Sequence, residues 1–108
     1  MMTGPQGGSW IPLGGTLKHM WEAAVPGLQI QQQPGAGIAN VRDVDEGKAQ
    51  IGFANSATTV DGIEGRAPYP KRVTRVCQAA NLYPQYLQVV ALPNPHTHTF
   101  GAFKSKPR

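Results

Sequence analysis

Cysteine is almost absent from this chain. Cys77 is the single one among 108 residues, so no internal disulfide is available and the core must hold by packing. Lying in an apolar stretch, it reads as a buried, inert thiol. Acidic residues are also few, at 6 against 10 Lys and Arg, which gives a net charge of +4. The cations are scattered; only Lys71 and Arg72 are adjacent, with a small group at Lys104, Lys106 and Arg108. Aromatics make up only 7% and do not interleave with a basic stripe, so the charge reads as a solvated surface and no nucleic-acid partner is expected. No apolar run is long enough to span a bilayer. The start, MMTGPQGG, has neither a charged n-region nor an apolar h-region, so no signal peptide is read in this chain. That leaves the compartment open, since a mature exported protein would look the same.

Catalytic constellations are lacking too. No phosphate loop ending in Gly-Lys-Ser or Gly-Lys-Thr occurs, and no carboxylate pair stands out. His96 and His98 sit in a proline-punctuated tail with no third ligand nearby, which points to solvated histidines and no metal site. His19 falls opposite an apolar helical stripe and is expected to be exposed. No enzymatic activity and no cofactor are expected.

Glycine and proline, in contrast, are plentiful, at 13 and 10. They punctuate apolar segments and do not form low-complexity runs. The stretch from Thr3 to Ala24 organises the chain: a glycine-rich loop running into an amphipathic helix. Trp10, Ile11, Leu13, Leu17, Met20, Trp21 and Ala24 keep to steps of three and four and form one stripe. Ser9 reads as the N-cap, its hydroxyl turned back onto an early N–H. Pro12 falls in the first turn, where a missing donor costs nothing. Gly4, Gly7 and Gly8 permit a tight approach, and the free N–H groups at the helix start would make an anion site. The alternative is a glycine loop that only starts a helix.

Further along, residues 28–33 begin with an apolar–polar alternation that suits a strand. A second glycine turn, at 34–37, leads into a short helix carrying Ile38, Val41 and Val44. Arg42, Asp43, Asp45 and Glu46 lie on its outer side, and Gly47 stands at its C-cap. A strand at 50–54 follows, then a helix capped by Asn55 and Ser56 and running to about Ile63. Residues 64–72 are a loop. Residues 73–80 and 87–92 read as two more strands, and the chain from 93 as a linker or tail. Strands alternating with helices argue for an α/β fold with a mainly parallel sheet, whose ligand sits beyond the carboxyl ends of the strands. The loop at Gly7 and Gly8, the 34–37 turn and the Asn55–Ser56 turn would share one edge. Gly35-Ala36-Gly37 imitates a dinucleotide fingerprint, but Asn40 stands where a Gly or Ala belongs, and no acidic residue follows at the right distance.

Several of these stretches, in order, resemble the TAXI solute receptors, the extracytoplasmic binding proteins of a class of TRAP transporters. Thr3-Gly4-Pro5-Gln6-Gly7-Gly8-Ser9-Trp10, followed by Pro12-Leu13-Gly14, is similar to their TG-x-x-GG-(S/T)-(aromatic)-x-PLG opening. Pro34-Gly35-Ala36-Gly37 with Asn40 and Val41 resembles their glycine turn. Gly47-Lys48-Ala49-Gln50-Ile51-Gly52-Phe53 resembles their Gly-x-Ala-x-(aliphatic)-Gly-Phe strand, and Asn55-Ser56 the polar pair after it. Leu82-Tyr83-Pro84-Gln85-Tyr86-Leu87 resembles their Leu-Tyr-Pro-Glu junction. The likeness spans nearly the whole chain. Those receptors are much longer, with two lobes, and Gly101-Ala102-Phe103 departs from their usual Ala-Asp-Leu.

The resemblance implies an incomplete, periplasmic-binding-protein-like (type II) lobe over residues 1–92, with 93–108 as a linker toward a second lobe. It implies a periplasmic receptor that takes a small carboxylate, such as an amino acid or organic acid, and hands it to TRAP-type permease subunits. Gly7, Gly8 and Ser9 would hold the carboxylate, Trp10 would wall the pocket, Asn55 and Ser56 would add hydrogen bonds, and Tyr83 and Tyr86 would lie near the hinge. Sheet edges left open by a short first strand would recruit a second copy. Two rival readings remain: a receptor fragment that binds nothing and serves as an interaction module, and a nucleotide-binding enzyme domain built on the Gly35 turn.

Overall fold

The computed structural model describes residues 1–86, 88 and 90. Three helices form where the apolar spacing places them: α1 at Trp10–Ala24, α2 at Gly37–Asp45 and α3 at Ser56–Glu64. Asn55 caps α3 by accepting the Thr58 N–H at 2.8 Å, and Gly65 ends it at a φ of 71°, a conformation that costs glycine little. Helix α1 stops at Val25, whose extended backbone still donates to Trp21 O.

The expected sheet does not form. Among the described residues, pairing is limited to two isolated parallel bridges, Met2 with Gln33 and Met2 with Gly52. The Met2 N–H donates to Ile51 O and Thr3 N–H to Gln33 O, while Gln33 and Phe53 donate back to Met1 O and Met2 O. The ladder goes no further because neighbouring donors are captured elsewhere. Glu22 on α1 takes the Ile30 N–H at 2.5 Å, and the Leu28 N–H turns back to Val25 O. At the segment expected to be a strand over 73–80, Asp45 takes the N–H groups of Thr74 and Arg75 at 2.8 and 2.9 Å, and Val73 donates to Gly62 O. A strand whose donors face side chains cannot build a ladder. The α/β fold with a mainly parallel sheet is therefore corrected to three helices joined through a three-segment parallel contact. The strand expected over 87–92 lies largely outside the described residues, and the tail from 93, with His96 and His98, lies wholly outside them.

The core sits between α2 and α3. Val41, Tyr69 and Val73 are buried together, with Ala54 and Val76 packed against them. The Tyr69 hydroxyl donates to Thr58 O at 3.0 Å, so the buried phenol keeps a partner. Gly62 lets α3 come close, since a Cβ there would lie 3.1 Å from the Tyr69 ring. Helix α1 docks by a similar device. A Cβ at Gly14 would stand 2.4 Å from the Thr3 Cγ2, and Thr3 is fully buried, so only glycine admits this approach of helix to segment. The rest of the α1 stripe is covered in part: Leu13, Leu17 and Trp21 are half-buried and Met20 is exposed.

Two further expectations are corrected. Cys77 is exposed, because the chain leaves the core after Val76 and residues 77–80 all face solvent. Asp45 is turned inward and buried, not on the outer side of α2. Its two backbone hydrogen bonds, Arg75 first and then Thr74, hold its carboxyl below the usual Asp range. The Lys18 ammonium and the Ile30 N–H do the same for Glu22.

Candidate functional site

The parallel sense of the two bridges fixes the geometry of the site. Segments 1–3, 31–34 and 51–54 all run the same way, so their carboxyl ends reach one edge. From that edge the chain enters α1, α2 and α3 in turn, and three helix N-termini gather there. Asn40 ties the edge together and is fully buried. Its Nδ2 donates to Thr3 O at 2.7 Å and to Phe53 O at 2.8 Å, and its Oδ1 accepts from the Ala36 N–H at 3.1 Å.

The three helix starts differ in what they leave free. Asn40 occupies the start of α2 and Asn55 the start of α3. Helix α1 has no such cap. Ser9 lies in helical conformation, and its side chain makes no capping bond, which corrects the expected role of its hydroxyl. The turn before it uses Gly7 at a φ of 80°, and Gly8 donates to Pro5 O. Among the described residues, no acceptor meets the backbone N–H of Ser9 or of Trp10. The exposed Ser9 hydroxyl stands beside these donors.

Trp10 leaves this loop on one flank. Its ring packs edge-on against Phe53, with centroids 6.0 Å apart and planes at 85°. Its indole N–H donates to the Tyr83 hydroxyl at 2.6 Å. The structure thus joins Trp10 to Tyr83 across 73 residues of chain, and Tyr83 keeps 46% exposure. Asn55 and Ser56 follow Phe53 at the start of α3. The Asn55 oxygen is spent on its cap, and Ser56 is exposed. Tyr86 is 75% exposed and makes no hydrogen bond or ring contact among the described residues.

On the other flank lies an open recess of about 350 Å³, lined by Thr3, Gln6, Ile11, Gln32, Gln33 and Pro34. Gln32 Nε2 reaches the Ile11 carbonyl at 2.8 Å, and the Thr3 hydroxyl donates to Gln33 O at 3.1 Å. Sequence reasoning gave no site role to Gln6, Gln32, Gln33 or Asn40. Two signals were available: a polar residue at the last position of a glycine-fingerprint turn, and a run of three glutamines where alternation should have continued. Among the described residues, no three His, Cys, Asp or Glu gather as for a metal, and no helix is long and apolar enough to cross a membrane.

The sequence model of the NMT1-like family matches residues 1–107. The chain belongs to the NMT1-like family. This is a periplasmic solute-binding family related to the TRAP and ABC receptors, and a family of binding proteins rather than enzymes. Membership supplies the general function, capture of a small molecule in an extracytoplasmic setting. A search of curated proteins and one of solved structures returned no match. In this NMT1-like chain the uncapped start of α1, the Trp10–Tyr83 pair and the amide-lined recess are neighbours on one edge.

Proposed function

We propose that this NMT1-like chain captures a small organic carboxylate, an amino acid or organic acid, as the receptor of a TRAP-type system of the TAXI class, and passes it to membrane permease subunits. The observation that carries this reading is the start of α1: two N–H groups without partners among the described residues, at the edge where three helices begin. A carboxylate there gains from the helix dipole and from charge-assisted hydrogen bonds, worth about 1.5–3 kcal/mol each. The backbone of Gly7 and Gly8 frames the anion, and the Ser9 hydroxyl adds a donor. The Trp10 and Tyr83 rings wall one side. Ser56 and the Asn55 Nδ2 reach from the next helix start, and Tyr86 lies further out along the same chain segment. The sequence motifs around Thr3–Gly14 and Leu82–Tyr86 support the TAXI assignment.

The nucleotide reading loses ground on geometry. The Asn40 carboxamide fills the Gly35 turn, where a Cβ on Gly35 would stand 2.0 Å from its Oδ1, and it already takes the Ala36 N–H. Calorimetric titration with a panel of amino acids and organic acids tests the proposal. Binding should saturate for at least one carboxylate and disappear in Ser9→Leu, whose side chain blocks the donors. Unchanged affinity in Ser9→Leu, or stabilisation by nucleotides and by no carboxylate, would overturn it.

A further inference from the structure

The carboxylate reading leaves the recess beside α1 unexplained. It lies on the opposite flank of the same loop from the Trp10–Tyr83 pair, and Gln6 and Ile11 bracket residues 7–10 in the chain. Its volume of about 350 Å³ falls at the small end of the range for ligand pockets, about 300–1,000 Å³. Its lining holds three carboxamides and a hydroxyl and no charged side chain. Thr3 and Gln32 are committed to each other and to backbone carbonyls, at 3.5 Å between them and 2.8 Å from Gln32 to Ile11 O, so they form a fixed floor. Gln6 and Gln33 are exposed, and their side chains have no hydrogen-bond partner among the described residues.

We propose that this recess is the specificity subsite for the distal part of the solute, and that it selects an uncharged, hydrogen-bonding group such as an amide or hydroxyl. The inference rests on the carboxylate reading of the α1 start. A free carboxamide offers two donors and an acceptor, so Gln6 and Gln33 together satisfy either polarity of a neutral group. Ile11 and Pro34 supply the apolar sides. A charged tail placed here would find no opposite charge in the lining, whereas a neutral amide or hydroxyl meets free carboxamide donors and acceptors. A site whose polar groups are built for one pattern also rejects analogues that leave them unpaired.

Three amino acids of matched size separate the cases: L-asparagine, L-aspartate and L-2,4-diaminobutyrate, titrated calorimetrically into the full chain. L-Asparagine should bind about tenfold or more tightly than either charged analogue, a difference of about 1.4 kcal/mol. Gln6→Glu, at an exposed side chain that the fold does not use, should reverse the order in favour of L-2,4-diaminobutyrate. Equal affinities for the three, or an order unmoved by Gln6→Glu, would overturn the subsite and leave the carboxylate reading standing. No binding by any of the three, and none by other carboxylates, would overturn both.

Discussion

Among the described residues, no side chain makes more hydrogen bonds than Asn40. One carboxamide makes three hydrogen bonds, to the Thr3 and Phe53 carbonyls and from the Ala36 N–H. It thereby joins two of the bridged segments to the start of α2. The group is fully buried, and Thr3 and Phe53 are buried with it, so those two carbonyls have no water to turn to instead. Asn40→Leu keeps the branched heavy-atom skeleton of the side chain and removes the bonds. Each buried group left unpaired costs about 1–3 kcal/mol, so the variant should lose about 2–4 kcal/mol of stability. Urea denaturation followed by circular dichroism measures this, and a loss below about 0.5 kcal/mol would show that the carboxamide is not the tie described. Its role was hidden in the sequence. A lone asparagine in a helix start usually reads as a cap or a solvated residue, and only the three-dimensional meeting of residues 3, 36 and 53 gives it three partners. Gly14 shows the converse. Its place in Pro12-Leu13-Gly14 was legible as a motif, but the reason, a Thr3 methyl 2.4 Å from where a Cβ would be, belongs to the packed structure.

Among the elements, the helices were legible and the strands were not, and Asp45 shows why. It ends α2 and takes the Thr74 and Arg75 N–H groups, so it anchors a segment that apolar content alone assigns to a strand. Hydrophobic periodicity reports which face is covered. It does not report where backbone donors go, and here carboxylates on α1 and α2 intercept them. The three helices survived this because their hydrogen bonds close within their own segments. The local pattern of the candidate site was legible to the same degree. The loop ahead of α1 and the pairing of its edge with two other helix starts came from local pattern, whereas the partner of Trp10 and the glutamine recess depend on how the segments meet. Asp45 also sets a pH dependence. Its carboxyl is held below the ordinary value of 3.8, so its contribution is fully present above that value and is lost as pH falls through the folded-state value. Asp45→Asn keeps an oxygen for the two N–H groups but loses the charge. The variant should be less stable than the parent at neutral pH, and the gap should close as the pH is lowered below the ordinary Asp value of 3.8. A gap constant across that range, read by thermal melts at each pH, would assign the role of Asp45 to packing instead.

For the molecule as a whole, the balance of covered and uncovered apolar surface decides its behaviour in solution. Among the described residues the buried hydrophobics are Val41, Ala49, Phe53, Tyr69 and Val73, while eleven large hydrophobics are exposed, among them Met20, Ile51, Val60 and Leu82. The bridged segments add a directional component. Gln33 and Gly52 each pair with Met2 on one side, and among the described residues nothing bridges their outer sides. Pro34 lacks an N–H and blunts the Gln33 side. The Gly52 side has no such guard, and Ile51 there is 40% exposed. A second copy is therefore expected to associate along residues 51–54, with the apolar side chains reinforcing the backbone contact. Sedimentation across a concentration series should show a mass rising above the monomer. Ile51→Lys places a charge on that edge without disturbing the Met2 N–H bond to the Ile51 carbonyl, and should raise the concentration needed for association by about tenfold. A parent chain that stays monomeric throughout, or an Ile51→Lys variant that associates as readily as the parent, would place the association elsewhere or remove it, and the unguarded edge would no longer explain it.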